Sequence, residues 1–296
     1  MEKEIYFAGG CFWGVEHFFK GVHGVKEATS GYANGLVCQP TYEQVYTDTT
    51  GHAETVRVRY DDTRISLREL SELFFAIIDP TLKDRQGGDI GTRYRTGVYY
   101  TCQEDLPVLE KVFAAQGAVQ TELLPLQCFF PAEEYHQKYL DKNPGGYCHL
   151  SIKSFVYLSV YQDLKALLEG ETDQIARMAE KTAIIQERLK FFWTGYYRVQ
   201  GNELVLGPFQ GPVACLRIGY GKGVCGTAWQ QGKTIVVPDV EKFPGHIACS
   251  SLSRSEIVVP IFNADGSVFA VLDIDSTQTG TFDRTDAAFL RLIADI

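Results

Sequence analysis

No stretch of this 296-residue chain reaches the roughly 18 consecutive apolar residues that a membrane-spanning helix requires. The acidic start Met1-Glu2-Lys3-Glu4 has no apolar run of the secretory type behind it, so a soluble, cytoplasmic protein is expected. Basic residues are in the minority. Against 28 Lys and Arg stand 37 Asp and Glu, and the net charge of −9 disfavours general binding to nucleic acid or an anionic membrane. The eight cysteines, Cys11, Cys38, Cys102, Cys128, Cys148, Cys215, Cys225 and Cys249, include no C-x-x-C. That absence excludes a thioredoxin-type redox pair and a ribbon of zinc-ligand pairs, and a secreted disulfide framework does not fit so long a chain. The pairs Cys148-His149 and His246-Ile247-Ala248-Cys249 fall short of the four ligands of a structural zinc site, so no metal is expected, and no cofactor. Separate thiols doing redox or nucleophilic work fit better, with Cys38, Cys102 and Cys128 read as small buried hydrophobes.

What is present fits a globular chain of about two domains. Apolar residues make up 45% and aromatics 12%, enough to fill real cores. The patterning predicts an α+β protein with domains at residues 1–154 and 155–296, and no internal repeat relates them. In the first half Ile5-Tyr6-Phe7-Ala8 reads as a buried strand running into Gly9-Gly10, Cys11 and a helix through Phe19. Glu54–Tyr60 alternates as a strand, Ser66 with Glu69 opens a helix to about Ile78, and Asp105 is expected to cap another reaching Gly117. Between them lies a Gly-rich polar loop, residues 85–95. The second half is expected to be helical over 161–190 and then to run through short strands at 191–199, 204–209, 213–218, 234–238, 256–262 and 268–274. Gly201-Asn202 and Asp265-Gly266 read as hairpin turns. A helix from Asp283 closes the chain and is expected to be short, or cut off, at Ile296.

Two places carry chemistry. In Gly9-Gly10-Cys11-Phe12-Trp13-Gly14 a thiol stands where a strand ends and a helix begins, beside an aromatic wall. The helix end is expected to lower the Cys11 pKa; the plainer reading is a buried Cys among core aromatics. In the second half, Glu256, Asp273 and Asp275 sit on otherwise apolar strands, with the two aspartates on one face. Converging carboxylates raise one another's pKa values and invite a cationic ligand; the plainer reading is a solvated strand end. Gly221-Lys222-Gly223-Val224-Cys225-Gly226 fits the dinucleotide pattern but lacks its strand–helix–strand context.

Gly10-Cys11-Phe12-Trp13-Gly14, Gly51-His52-Ala53-Glu54, Asp79-Pro80-Thr81 and the run Gln86–Arg95 together resemble peptide methionine sulfoxide reductase A. The resemblance implies an α/β sandwich that reduces the S epimer of methionine sulfoxide, free or in oxidised proteins, with Cys11 attacking sulfur. It implies Glu54 as proton donor, Tyr32 and Tyr94 as hydroxyls on the sulfoxide oxygen, Phe12 and Trp13 around the methyl group, Asp89 positioning substrate, and Cys148 resolving the sulfenic acid. Ile78 and Arg93 depart from the family, which usually has His and Gln there.

A second set, residues 204–211, Ala214-Cys215, Gly223–Gly226, residues 243–249 and Ser255–Val258, resembles the GAF-fold free methionine-(R)-sulfoxide reductase. It implies an antiparallel sheet with helices. Cys249 would be the nucleophile, Cys215 the resolving thiol and Cys225 an accessory thiol. Glu256, Asp273 and Asp275 would hold the ammonium group and sulfoxide, and Trp193 and Tyr197 would form the aromatic wall. Both resemblances imply thioredoxin as reductant. Two other readings stand beside this one: a second half that senses ligand or redox state without catalysis, and a thiol peroxidase, which leaves Glu54 and the aromatic wall unexplained.

Overall fold

The apolar run Ile5–Ala8 lies within β1 (Glu2–Gly9), which is buried from Ile5 onward because strands flank it on both sides. This computed structural model describes residues 1–247 and 249–296 and separates into two units, Met1–Phe155 and Val156–Ile296. In the first unit β1 is followed by α1 (Phe12–Lys20), β2 (Val25–Ala33), α2 (Tyr42–Tyr46), β3 (Ala53–Asp61) and α3 (Leu67–Ile77). Then come a two-residue pair, β4 (Arg85–Gln86) and β5 (Asp89–Ile90), and β6 (Thr96–Tyr100), α4 (Leu106–Gln116), β7 (Glu122–Pro125), β8 (Phe129–Pro131) and α5 (Tyr139–Lys142). The sheet order is β7-β6-β1-β3-β2-β8, antiparallel except for the parallel β6–β7 pair.

Phe7 stacks between Phe19 of α1 and Phe74 of α3, each ring centroid 4.7 Å away, so both helices are pinned over β1. The chain can turn from β1 into α1 only through glycine. Gly10 has φ +85°, and a Cβ there would lie 2.7 Å from Cβ of Gln86. Ser66 caps α3 by accepting from the Glu69 amide at 3.2 Å. Asp105 stands at the N-cap of α4 but makes no side-chain cap bond there; it faces Lys3 at 3.8 Å instead, correcting the cap expected from sequence.

The second unit holds most of α6 (Ile152–Leu167), then α7 (Gln174–Leu189), β9 (Trp193–Gln200), β10 (Glu203–Gln210), β11 (Arg217–Gly219), α8 (Gly223–Gln231), β12 (Ile235–Val237), β13 (Ser255–Phe262), β14 (Val268–Ser276) and α9 (Arg284–Asp295). Its sheet, β11-β10-β9-β14-β13-β12, is antiparallel throughout. The dinucleotide-like glycines connect β11 to α8, so the parallel strand–helix–strand unit that this pattern serves does not form around them. On one face α8 packs over Trp193, Tyr197, Val258 and Val271. Tyr157 of α6 stacks on Phe289 of α9 and donates a 2.7 Å hydrogen bond to buried Asp286.

Three expectations need correction here. The helix expected over 161–190 is two helices, because residues 168–173 turn away and Asp173 caps α7 through the Ala176 amide. The strand expected over 213–218 shrinks to Arg217–Gly219. Cys38 and Cys102 are exposed and Cys128 is half-buried, since they lie in connecting segments at the sheet's margins rather than in its core.

Candidate active sites

Cys11 stands at the N-cap of α1 with only 5% of its surface exposed. Burial pushes its thiol well above its ordinary pKa, and Glu54 and Asp89 push the same way; the hydrogen bond from the Trp13 amide opposes them and loses. The expectation of a lowered Cys11 pKa is thus overturned. A helix terminus acts over one turn, whereas desolvation at this depth outweighs it.

Glu54 lies on β3, directly across from Tyr32 of β2, and accepts a 3.0 Å bond from the Phe12 amide. Burial raises it to about 8, with the Phe12 bond and the Arg93 charge holding it back from rising further. At neutral pH this carboxyl carries a proton. Tyr32 donates its hydroxyl to Glu133 at 2.8 Å, and burial with Glu133 pushes its pKa up. Glu133 also accepts from the Tyr42 amide at 2.8 Å; burial would raise it, but these donors hold it below the usual range, ionised. Tyr94 is buried and raised, mainly by desolvation. Arg93 lies between the rings of Tyr46 and Tyr94 at 4.3 and 4.4 Å and pairs with Asp48.

The aromatic wall is larger than Phe12 and Trp13. Trp13 stacks on Tyr139 at 3.7 Å and donates its indole N–H to His136 Nδ1 at 3.1 Å. His136 also packs against Phe12 and Tyr42, at 5.1 and 4.4 Å between ring centroids. Sequence reasoning missed Tyr42, Glu133, His136 and Tyr139. The signal available was Glu133-Glu134-Tyr135-His136-Gln137-Lys138-Tyr139, a cluster of aromatic and ionisable residues in a stretch with no strong helix or strand pattern.

Cys148 lies along the first turn of α1, where a Cβ on Gly14 would come 3.0 Å from its Sγ, and burial raises its thiol pKa. The ligand atoms of Cys11, Asp89 and His149 lie within 4.8 Å of one another, as do those of Cys225, Glu256 and Asp273; by distance either trio could approach one metal ion.

In the second unit Cys215 and Cys249 form a disulfide, with 5.4 Å between their Cα atoms. Next to it a cavity of about 30 Å³ is lined by residues that include Cys225, His246, Cys249, Glu256, Asp273 and Asp275. That volume is about one water's share of the liquid, too small for a free amino acid in this disulfide form. Glu256 pairs with Asp275 across β13 and β14, and Asp273 is the diagonal neighbour. Burial and then mutual repulsion hold Glu256 and Asp273 well above the carboxylate range; burial raises Asp275 to about 6. Asp273 Oδ1 is buried without a hydrogen-bond partner among the described residues, and His246 faces Glu256 at 3.7 Å. Cys225 Sγ lies 3.9 Å from Glu256, and burial raises its pKa as well. Trp193 and Tyr197 do not line this cavity. They are buried, and they donate to the carbonyls of Pro212 and Cys215, each at 3.0 Å, so they hold the segment that carries the disulfide.

In each unit a buried thiol stands with carboxyls that burial holds above their ordinary range, an arrangement suited to thiol redox chemistry. The profile of the peptide methionine sulfoxide reductases matches residues 3–166, and that of the GAF domain matches residues 172–296. The chain belongs to the peptide methionine sulfoxide reductase family and carries a GAF domain after it. Peptide methionine sulfoxide reductase MsrA of Clostridium botulinum is 52% identical over 155 residues, 51% of this chain and 99% of that protein. GAF domain-containing protein A of Dictyostelium discoideum is 56% identical over 138 residues, 46% of this chain and 87% of that protein. Among solved structures, free methionine-R-sulfoxide reductase from Neisseria meningitidis in complex with its substrate shares 50% identity, with a TM-score of 0.47, covering 49% of this chain and 87% of that one. Among the described residues, no helix is long and apolar enough to cross a membrane.

Proposed function

We propose that the chain reduces methionine sulfoxide at two separate sites: the S epimer, free or in peptides, at Cys11, and the free R epimer at Cys249. The observation that supports this is a buried carboxyl raised by burial in each unit, Glu54 to about 8 beside Cys11, and Glu256 well above the carboxylate range in the cavity that Cys249 also lines. A sulfoxide oxygen leaves sulfur only once it is protonated, and an ordinary carboxylate at pH 7 has no proton to give.

In the first unit Cys11 Sγ attacks the sulfoxide sulfur, Glu54 supplies a proton to the oxygen, and Tyr94 and Tyr32 orient it. Tyr32 donates its hydroxyl to Glu133, so it can donate to the sulfoxide oxygen only once that bond exchanges. Phe12 and Trp13 enclose the methyl group and Asp89 holds the substrate's polar end. Oxygen passes to Cys11 as a sulfenic acid and methionine leaves. Cys148 then condenses with Cys11 to a disulfide, releasing water, and a dithiol such as thioredoxin reopens it.

In the second unit Cys249 is the nucleophile, Cys215 resolves it, and Cys225 is an accessory thiol. Glu256, Asp273 and Asp275 take the ammonium group and protonate the oxygen. Trp193 and Tyr197 set the position of Cys215. The cavity beside the disulfide is too small for the substrate, and reduction precedes substrate entry.

The test gives the intact protein, Cys11→Ser and Cys249→Ser separated epimers with a thiol reductant. Each variant should lose one epimer and keep the other. Loss of both activities in a folded single variant would refute two independent sites, and absence of free R turnover in Cys11→Ser would favour a GAF unit that senses without catalysing.

A further inference from the structure

The sequence pairs Cys148 with His149, and the reaction described above uses only the cysteine. The histidine is placed with care. Its Nε2 donates to the carbonyl of Gly9 at 2.9 Å, which leaves the lone pair of a neutral ring on Nδ1. Nδ1 is buried and has no hydrogen-bond partner among the described residues. A buried acceptor left unpaired is costly, so such a group calls for a role. The ring lies near both reacting thiols. Ligand atoms of His149, Cys11 and Asp89 lie within 4.8 Å of one another. A Cβ on Gly14 would lie 3.0 Å from Cys148 Sγ and 3.4 Å from His149 Cε1, which brings the ring alongside the neighbouring thiol as well.

We propose that His149 is the acid–base residue of the step that joins Cys11 and Cys148. Nδ1 takes the proton of the Cys148 thiol as that sulfur attacks the sulfenic sulfur of Cys11, and returns it to the departing hydroxyl, which leaves as water. The S–S bond forms as the S–O bond breaks. Cys148 sulfur is oxidised by one electron equivalent and Cys11 sulfur is reduced by one, so no outside oxidant or reductant enters. The ring and thiols titrate in the sense this needs. Burial lowers His149, outweighing Asp89 and the Gly9 bond, so it is a free base at neutral pH; burial raises Cys148, so its thiol needs a base. The charged and titratable groups near the ring are Cys11 from the start of α1, Asp89 from β5, and Cys148 from its own segment; Asp89 in turn pushes up the pKa of Tyr147, after burial.

The inference rests on Cys11 as nucleophile and Cys148 as resolver, and the experiment separates the two layers. Full-length protein with Cys215, Cys225 and Cys249 changed to Ser is mixed in its reduced form with excess S-sulfoxide, without reductant, and quenched over time. Methionine formed and Cys11–Cys148 disulfide formed are measured in the same samples. His149→Gln keeps a donor for the Gly9 carbonyl but cannot cycle a proton; it should release its first methionine at the unaltered rate and form disulfide about a hundredfold more slowly. In the unaltered protein the disulfide step should be flat through neutral pH. In the variant it should climb with pH, following ionisation of Cys148. His149→Ala with added imidazole should recover the step in proportion to imidazole. Unchanged disulfide formation in both variants overturns the proposal, and so does slowing of methionine release by the same factor, which would put His149 in the first step. If Cys11→Ser still releases methionine, the underlying assignment of the nucleophile fails instead.

Discussion

Replacing Glu54 by glutamine removes one proton-donating group and changes activity and stability in opposite directions. The folded carboxyl titrates at about 8 against 4.5 for an unperturbed glutamate. Between those values the folded protein binds a proton that the unfolded chain has released. Stability contributed by this group is therefore full below pH 4.5 and declines as pH rises toward 8. The shift corresponds to about 5 kcal/mol of destabilisation once pH exceeds 8. A glutamine side chain is neutral at every pH and can still accept from the Phe12 amide. Glu54→Gln should therefore leave stability near that of the parent at pH 5 and exceed it by several kcal/mol at pH 9. Calorimetry of the full chain at pH 5, 7 and 9 would follow the transition of the first unit. Turnover of the S epimer should meanwhile fall by a factor of about 10² to 10⁴, the range for loss of a positioned general acid. Parallel stability profiles for the two proteins would refute the raised pKa, and retention of S turnover would refute Glu54 as the donor.

Other outcomes follow from particular contacts. Cys148→Ser should release about one methionine per Cys11 and then stop with thioredoxin as reductant; sustained turnover would reveal another resolving thiol. Gly14→Ala puts a methyl group 3.0 Å from Cys148 Sγ and 3.1 Å from Leu150, so disulfide formation should slow while the first methionine release holds, as rapid quench would show. Glu256→Gln should depress free R turnover, and the parent should discriminate at least about a hundredfold against an N-acetylated, amidated R-sulfoxide whose nitrogen bears no charge. Equal rates on free and blocked substrate would defeat this reading of the acidic cluster. Tyr157→Phe removes the 2.7 Å donor to buried Asp286 and should destabilise the second unit by about 1–3 kcal/mol; an unchanged melting temperature would contradict this.

The order of strands and helices could be read from the chain where the signal is local. Ile5–Ala8 running into Gly9-Gly10, the Ser66 cap, the Gly201 and Gly266 turns and the Asp283 helix start each depend on a few adjacent residues, and each stands where the pattern puts it. The placement of Asp273 and Asp275 on one face follows from the two-residue period of a strand. Tertiary structure decided what depends on distant segments. The thiol of Cys11 is raised rather than lowered because the fold buries it and then brings Glu54 from β3 and Asp89 from β5 to a helix start that alone would favour thiolate. The wall against Trp13 comes from residues more than a hundred positions away, His136 and Tyr139. Trp193 and Tyr197 support the Cys215 segment instead of lining the cavity, a choice made by which carbonyls came within reach of their donors. Backbone preference and side-chain period are properties of neighbouring residues, so the chain alone determines them. Desolvation and the pairing of buried polar groups depend on everything that surrounds an atom, and only the folded chain assembles those surroundings.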